Sequence, residues 1–462
     1  MNWKKRRCGK QICSGVSKIF REKIFVFDKK AWTKNSALVK FFTIIMSLLL
    51  SLRKPLIFIT LLTAFPGLLL SQVAVPQGPE NSISGPMNGD QVFPALSLNP
   101  DGGYVVWEQN GSVKSGTEIK AARLNADFTT GPNFSVNKVV KGDQKNPQVQ
   151  LLANGNAIFV WQSYGLNDAN IYARILKENV WATGDVRINS ARRVKNAYFK
   201  DQQSDPAVCA LQDGSALVAW QSFGQDGSMR GVYFSKVSAA GKVDGNEVLA
   251  NQTTAFNQRN PAMATLSDGN VVVIWISEQQ RFVGSVDVYA RLFTAGGSPV
   301  SDELLMNVAN NNCANPSVAP LSNGGFTIVW SEKDSASQSN SWDIVGRSFS
   351  ADGTAVGGDF KVNNYTFGDQ YRPKIAPVGT ACAVTWTSLG QDGSREGVYG
   401  RILPSGAQPS GNEFRVNTTT ISRQRYPNIA SDGSRFLVAW AGFVAVTSFD
   451  LFGQEYILNP LP

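Results

Sequence analysis

The chain has 462 residues, enough for two or three average domains or one large repeat domain. Charged residues make up 17% and aromatics 10%, with 42 Gly, a balance that suits an all-β exported protein better than a helical cytosolic one. The net charge of +9 belongs to the leader: residues 1–71 hold 14 Lys or Arg against Glu22 and Asp28 (+12), and the rest holds 30 basic and 33 acidic residues (−3). A body this close to neutral excludes an electrostatic case for nucleic acid. The absence of histidine removes the commonest general base and transition-metal ligand.

The leader comes first in the chain. Residues 56–70, LIFITLLTAFPGLLL, form an uncharged apolar run behind Arg53 and Lys54, and polar sequence follows from Ser71. That is the pattern of a secretory signal, and the run is short against the ~20 residues of a bilayer span. A second apolar stretch, Leu38 to Leu52, is interrupted by Lys40. The expected division is therefore a basic N-terminal extension at 1–45, a misassigned start if Met46 is the true one. A signal peptide or signal-anchor follows at 46–71, and a single repeat domain at 72–462. Charge bias places the basic leader in the cytoplasm. The body is expected to be exported to the periplasm, cell surface or exterior, with membrane contact only through this segment. Cys8 and Cys13 lie in the leader, and Cys209, Cys313 and Cys382 are scattered without CxxC spacing, so neither a disulfide framework nor a zinc site is expected.

The body repeats. A tryptophan ends a hydrophobic run at Trp107, Trp161, Trp220, Trp275, Trp330, Trp386 and Trp440, at spacings of 54, 59, 55, 55, 56 and 54. A proline precedes each by 13 or 14 residues: Pro94, Pro147, Pro206, Pro261, Pro316, Pro373 and Pro427. Three residues before the proline stands Gln91, Gln144, Gln203, Gln258, Gln370 or Gln424, with Cys313 in the fifth copy. Two markers in phase over seven copies signify a repeat architecture.

Four strands can be placed in each copy. The first follows the proline, and an Asp-Gly or Asn-Gly turn such as Asp268-Gly269 leads to the second. The second, as in Val271 to Trp275, is apolar on both faces and so must be covered on both sides. The third carries Ile171-Tyr-Ala-Arg174 and its equivalents, and the fourth ends in Asn, as at Asn137, Asn189, Asn363 and Asn417. Such units are propeller blades, and seven around an axis bury each against the next. The tryptophans are then interblade packing. Copy seven stops after its third strand, and Glu80 to Ser84 aligns with Glu413 to Asn417. The expected fold is thus an all-β, seven-bladed propeller of four-stranded antiparallel blades, closed when the N-terminal strand completes the last blade. It is expected to be monomeric.

Val218-Ala-Trp220-Gln-Ser-Phe-Gly224-Gln-Asp226-Gly-Ser228 and Trp386 to Ser394, followed by Gly397-Val-Tyr399-Gly, resemble a β-propeller repeat common in secreted bacterial proteins. The resemblance covers residues 78–462. It implies a propeller and an envelope or extracellular setting, and no known chemistry.

Two groups of loops should share one face: those between strands two and three, with Asp168, Asp226 and Asp392, and those entering each blade, with Asp90, Asp143, Asp201 and Asp369. These aspartates are the candidate ligand-binding ring. Oxygen-rich Asp-x-Gly loops are calcium-capable, yet no copy has dense ligand spacing, so no cofactor or metal is assigned. The phased Gln is read as a structural hydrogen-bonder between blades, and the strand-three arginines (Arg123, Arg174, Arg291, Arg347, Arg401) as rim packing. The insert at 191–200 breaks the symmetry and offers Arg192, Arg193 and Tyr198 as a partner-specific loop. The leading functional expectation is a binding scaffold for a protein or glycan at the cell surface, more than an enzyme. Its alternatives are a glycan-active hydrolase, which needs a convergent carboxylate pair, and a purely structural repeat.

Overall fold

The computed structural model describes residues 72–460 except 114–115, 166–167, 191–201, 334–340, 406–407, 410 and 445–447. The leader, and with it the divisions at 1–45 and 46–71, lies outside the described residues. Every element described is a strand. No helix among the described residues is long and apolar enough to cross a membrane.

The strands form seven antiparallel sheets, each running from an inner to an outer strand in chain order. Blade 4 is typical: Gln258–Thr265, Val271–Glu278, Val286–Phe293 and Leu304–Leu305. In blade 2 the outer position is shared by Val180–Trp181 and Val186–Arg187. Blade 7 takes Gln424–Ser431, Arg435–Val444 and Ser448–Pro460 from the C-terminus. Its outer edge comes from the other end of the chain. Gln72 to Pro76 pair with Pro460 to Tyr456, and Asn81 and Ser82 with Gly453 and Phe452. The fold is the expected seven-bladed propeller, and its termini share one blade, so no sheet edge is left open there.

Seven hydrophobic clusters fill the seven interfaces between neighbouring blades. All seven phased tryptophans are 0–1% exposed. Trp330 of blade 5 packs with Ile274 and Leu292 of blade 4, and Trp107 of blade 1 packs with Leu437 and Leu451 of blade 7. A second strand that is apolar on both faces is thereby explained, since it meets a neighbour on each side. The Asn-Gly and Asp-Gly turns place glycine in the left-handed region, as at Gly269 with φ 85°.

Polar side chains tie blade to blade. Asn137, Asn189, Asn251, Asn307, Asn363 and Asn417 each accept the N–H of a third-strand residue of their own blade. Just past each Asn, backbone N–H groups donate to a carboxylate of the next blade: Asp185, Glu247, Glu303, Asp359, Glu413 and, across the termini, Glu80. Arg174, Arg291, Arg347 and Arg401 donate to carbonyls of the preceding blade, whereas Arg123 reaches Asn179 of the following one. The phased Gln serves both within and between blades: Trp161 Nε1 donates to Gln144 Oε1 at 3.1 Å and Trp440 Nε1 to Gln424 Oε1 at 3.3 Å, whereas Gln258 and Gln370 accept from Asn251 and Asn363 of the preceding blade at 3.4 and 3.5 Å. In blade 5, where Cys313 replaces Gln, Glu332 Oε2 accepts from Trp330 Nε1 at 3.1 Å instead.

Candidate functional site

The inner strand of every blade carries the same irregularity. Its pairing with the second strand slips by a residue around the phased proline, as between Lys145 and Gln148 or Tyr371 and Lys374. A bulge of this kind turns one residue out of the ladder. Here it is the residue before the proline: Phe93, Asn146, Asp205, Asn260, Asn315, Arg372 and Tyr426, with φ of 53°, 52°, 52°, 53°, 51°, 55° and 58°. Side chains other than Gly, Asn and Asp rarely adopt that region, and each such residue costs about 1–3 kcal/mol. Among the described residues, four of the seven have their backbone N–H held by a side chain of the preceding blade, Asp205 N–H reaching Gln162 Oε1 at 3.4 Å. Asn146 N–H donates to Glu108 Oε1 at 2.7 Å, Asn260 N–H to Gln221 Oε1 at 2.9 Å, and Arg372 N–H to Ser331 Oγ at 3.1 Å.

The seven turned-out residues line an axial cavity of about 350 Å³, with Gln148, Ser317, Lys374 and Asn428 also on its wall. That is the low end of the size that takes a small ligand. The ring is not symmetric. Blades 6, 7 and 1 supply Arg372, Tyr426 and Phe93. The Phe93 and Tyr426 rings stack with centroids 4.2 Å apart, and the Arg372 guanidinium lies 4.8 Å from the Tyr426 centroid and 5.3 Å from that of Phe93. Blades 2 to 5 supply Asn146, Asp205, Asn260 and Asn315. Asn146 Nδ2 donates to Asp205 Oδ1 at 2.9 Å and to Gln162 Oε1 at 3.2 Å.

Burial perturbs the charged groups here. Desolvation raises the Asp205 carboxyl above the usual range, against the pull of Arg230, Arg372 and Arg259. Desolvation also lifts Glu108, behind the ring, to about 7, partly offset by its hydrogen bond from the Asn146 backbone. On the cavity wall Lys374 is lowered to about 8, first by desolvation and then by Arg372. Clustering of shifted groups in one cavity marks a candidate site.

The aspartates expected to form the ligand ring stand elsewhere. Those of the blade-entry loops touch the strand-two-to-three side of the preceding blade, so the two loop groups do share a face. Thr117 N–H donates to Asp143 Oδ1 at 3.1 Å, Trp342 N–H to Asp369 Oδ1 at 3.1 Å, and Phe449 N–H to Asp90 Oδ1 at 3.2 Å. Asp226 and Asp392 accept the N–H of Ser228 and Ser394 two residues on, and Asp168 accepts from Asn170 Nδ2. None of these six lines the cavity, and their oxygens brace the loops. Asp201, Arg192, Arg193 and Tyr198 lie outside the described residues. Among the described residues no three His, Cys, Asp or Glu side chains group as a metal site.

Sequence reading missed the axial ring. Its signal was present: between the phased Gln and Pro sits one position occupied by Phe, Asn, Asp, Asn, Asn, Arg and Tyr.

No family model matches the chain, and neither does any curated protein. Solved structures do. The polysaccharide lyase Uly1 shares 10% identity at a TM-score of 0.51, over 82% of this chain and 91% of its own. An ulvan polysaccharide lyase bound to -[GlcA(1-4)Rha3S]- shares 12% at 0.50, over 84% and 96%. The GH93 α-L-arabinofuranosidase of Fusarium graminearum shares 10% at 0.49, over 83% and 97%. At these identities the likeness is one of fold.

Proposed function

We propose that the protein is glycan-active and takes a saccharide unit in its axial cavity. The observation that carries this reading is the division of the ring. A stacked Phe93–Tyr426 pair beside Arg372 offers an apolar face with a cation, and Asn146, Asp205, Asn260 and Asn315 opposite offer amide and carboxyl groups to hydroxyls. A sugar presents both kinds of surface, and a pocket of this mixed lining fixes orientation with few polar groups. A purely structural repeat has no use for Phe93, Arg372 and Tyr426 in a strained conformation that the other four blades fill with Asn or Asp. The lyases Uly1 and the ulvan lyase support glycan chemistry as compatible with this fold. Export behind the basic and apolar leader, as in the secreted bacterial repeat proteins the motifs resemble, belongs to the same reading.

A second reading, the non-cleaving interaction scaffold, draws on the blade-entry loops and the strand-two-to-three loop of blade 4. They expose Val139, Phe256, Val283, Val308, Phe367 and Ile421. Exposed apolar surface gathered on one face marks contact with a partner.

The test is a glycan array with the full-length chain, followed by digestion of every polymer bound. Wild type is expected to bind and cleave at least one, and Tyr426→Ala to lose both. Failure to bind any glycan ends the proposal, and binding without cleavage transfers it to the scaffold.

A further inference from the structure

Two cations on the cavity wall form no ion pair among the described residues. Arg372 and Lys374 flank Pro373 where the inner strand of blade 6 begins, and both face the axial cavity. Several other arginines are paired or hydrogen-bonded. Arg281 meets Asp287 at 2.6 Å, Arg259 meets Glu278 at 2.7 Å, and Arg174, Arg291, Arg347 and Arg401 donate to backbone carbonyls. Among the described residues neither the Arg372 guanidinium nor the Lys374 ammonium forms an ion pair or donates a hydrogen bond, and the guanidinium instead lies against the two stacked rings. A charged group held in a cavity without a partner is poorly solvated and favours a ligand of opposite charge. One carboxylate, Asp205, is on the described wall, and Asn146 already donates to it. That leaves net positive charge at the end of the site where the aromatic platform lies.

The same inventory bears on chemistry. Hydrolysis of a glycosidic bond by the usual route takes two carboxyl groups, about 5 to 10 Å apart. The described wall supplies one. It does supply an amine whose burial, with Arg372 beside it, brings it down to about 8, so a free-base fraction exists near neutral pH.

We propose that the axial cavity is a uronate site in which Arg372 holds the sugar carboxylate and Lys374 takes the proton from the carbon next to it, cutting the polymer by β-elimination. This rests on the glycan reading above and narrows it to acidic sugars. Lys374 Nζ takes the proton, and the C–H electron pair becomes the ring double bond. The bond from the neighbouring carbon to the glycosidic oxygen breaks, and that oxygen leaves with the pair and is protonated by water. The ammonium then returns its proton to solvent. No water is consumed and no oxidant or reductant is needed. The guanidinium offsets the negative charge that grows on the carboxylate as the proton leaves, which is where a fixed cation lowers a barrier most.

The experiment offers the full-length chain polygalacturonate, alginate and a glucuronate-containing polymer beside neutral polymers, and follows the ultraviolet absorbance of an unsaturated uronate end. Release of that end from at least one uronate polymer, with a rate that rises as pH passes through about 8, is the expected result. Lys374→Arg keeps the charge but cannot serve as a base, so it is expected to bind the polymer and lose at least ~100-fold in turnover. Arg372→Gln is expected to weaken uronate binding at least ~10-fold. A thermal melt of each variant reports folding separately, and an unchanged melt with lost turnover supports the assignment. Cleavage that leaves a saturated end labelled from heavy-oxygen water overturns elimination while the glycan reading survives. Cleavage confined to neutral glycans also overturns it and spares that reading, whereas uronate binding with no cleavage of any polymer overturns it and passes the reading to the scaffold. No glycan bound or cut overturns both.

Discussion

The interblade ties and the axial ring are built from one repeat by opposite rules. At the ties the side chain serves the backbone: six Asn residues make the same bond to the third strand of their own blade, and the N–H groups just past them meet a carboxylate of the next, Glu80 taking the place of Glu413 across the chain ends. In the ring the backbone is held, all seven φ angles lying between 51° and 58°, and the side chain is set free to differ. A scaffold position therefore shows as sameness across copies, and a site position shows as difference under an identical backbone.

The widest separation should come from the packing side. Trp275→Ala is expected to cost about 3–5 kcal/mol, because the indole is fully buried against blade 3. Denaturant unfolding checks it, and a loss below ~1 kcal/mol would mean the blades are not wedged by their indoles. Next, Glu80→Ala removes a carboxylate that accepts from Thr418 N–H, Thr419 N–H and the Thr419 hydroxyl. The expected loss is about 1–3 kcal/mol, with hydrogen exchange rising first along the shared blade. Loss spread evenly over the ring would deny that Glu80 holds the shared blade closed.

A smaller effect concerns pH. Glu108 sits at about 7 in the folded chain against 4.5 for the free side chain. The folded state therefore binds more protons than the unfolded state between those values, and stability falls as pH rises from about 4.5 to 7. Glu108→Gln is expected to flatten that part of the melting curve, and an unchanged slope would place the titration elsewhere. The smallest effect is expected at the ring. Asn315→Gly should shift stability by less than about 1 kcal/mol, since relief of the left-handed strain offsets glycine's greater freedom when unfolded. Tyr426→Ala should leave the melt close to wild type yet abolish glycan binding, which separates the ring from the ties.

Much of the fold was readable from the residues. The phase of Trp, Pro and Gln located the blades, and the alignment of Glu80 with Glu413 located the closure, because a blade missing one strand must take it from somewhere. The candidate site was far less legible. The aspartates Asp90, Asp143 and Asp369 were conspicuous in the sequence, but each lies within reach of a backbone N–H that claims it.

Local chemistry and period were enough to determine that this chain makes seven two-faced sheets and where each begins, since buried pattern and turn residues act over a few neighbours. Only the closed ring decided which side chains meet at the axis. Phe93 and Tyr426 are 333 positions apart and stack because blades 7 and 1 are neighbours in space. Elsewhere in the ring the bulge is braced from the preceding blade, as at Asn146, Asn260 and Arg372, and no single repeat contains those contacts.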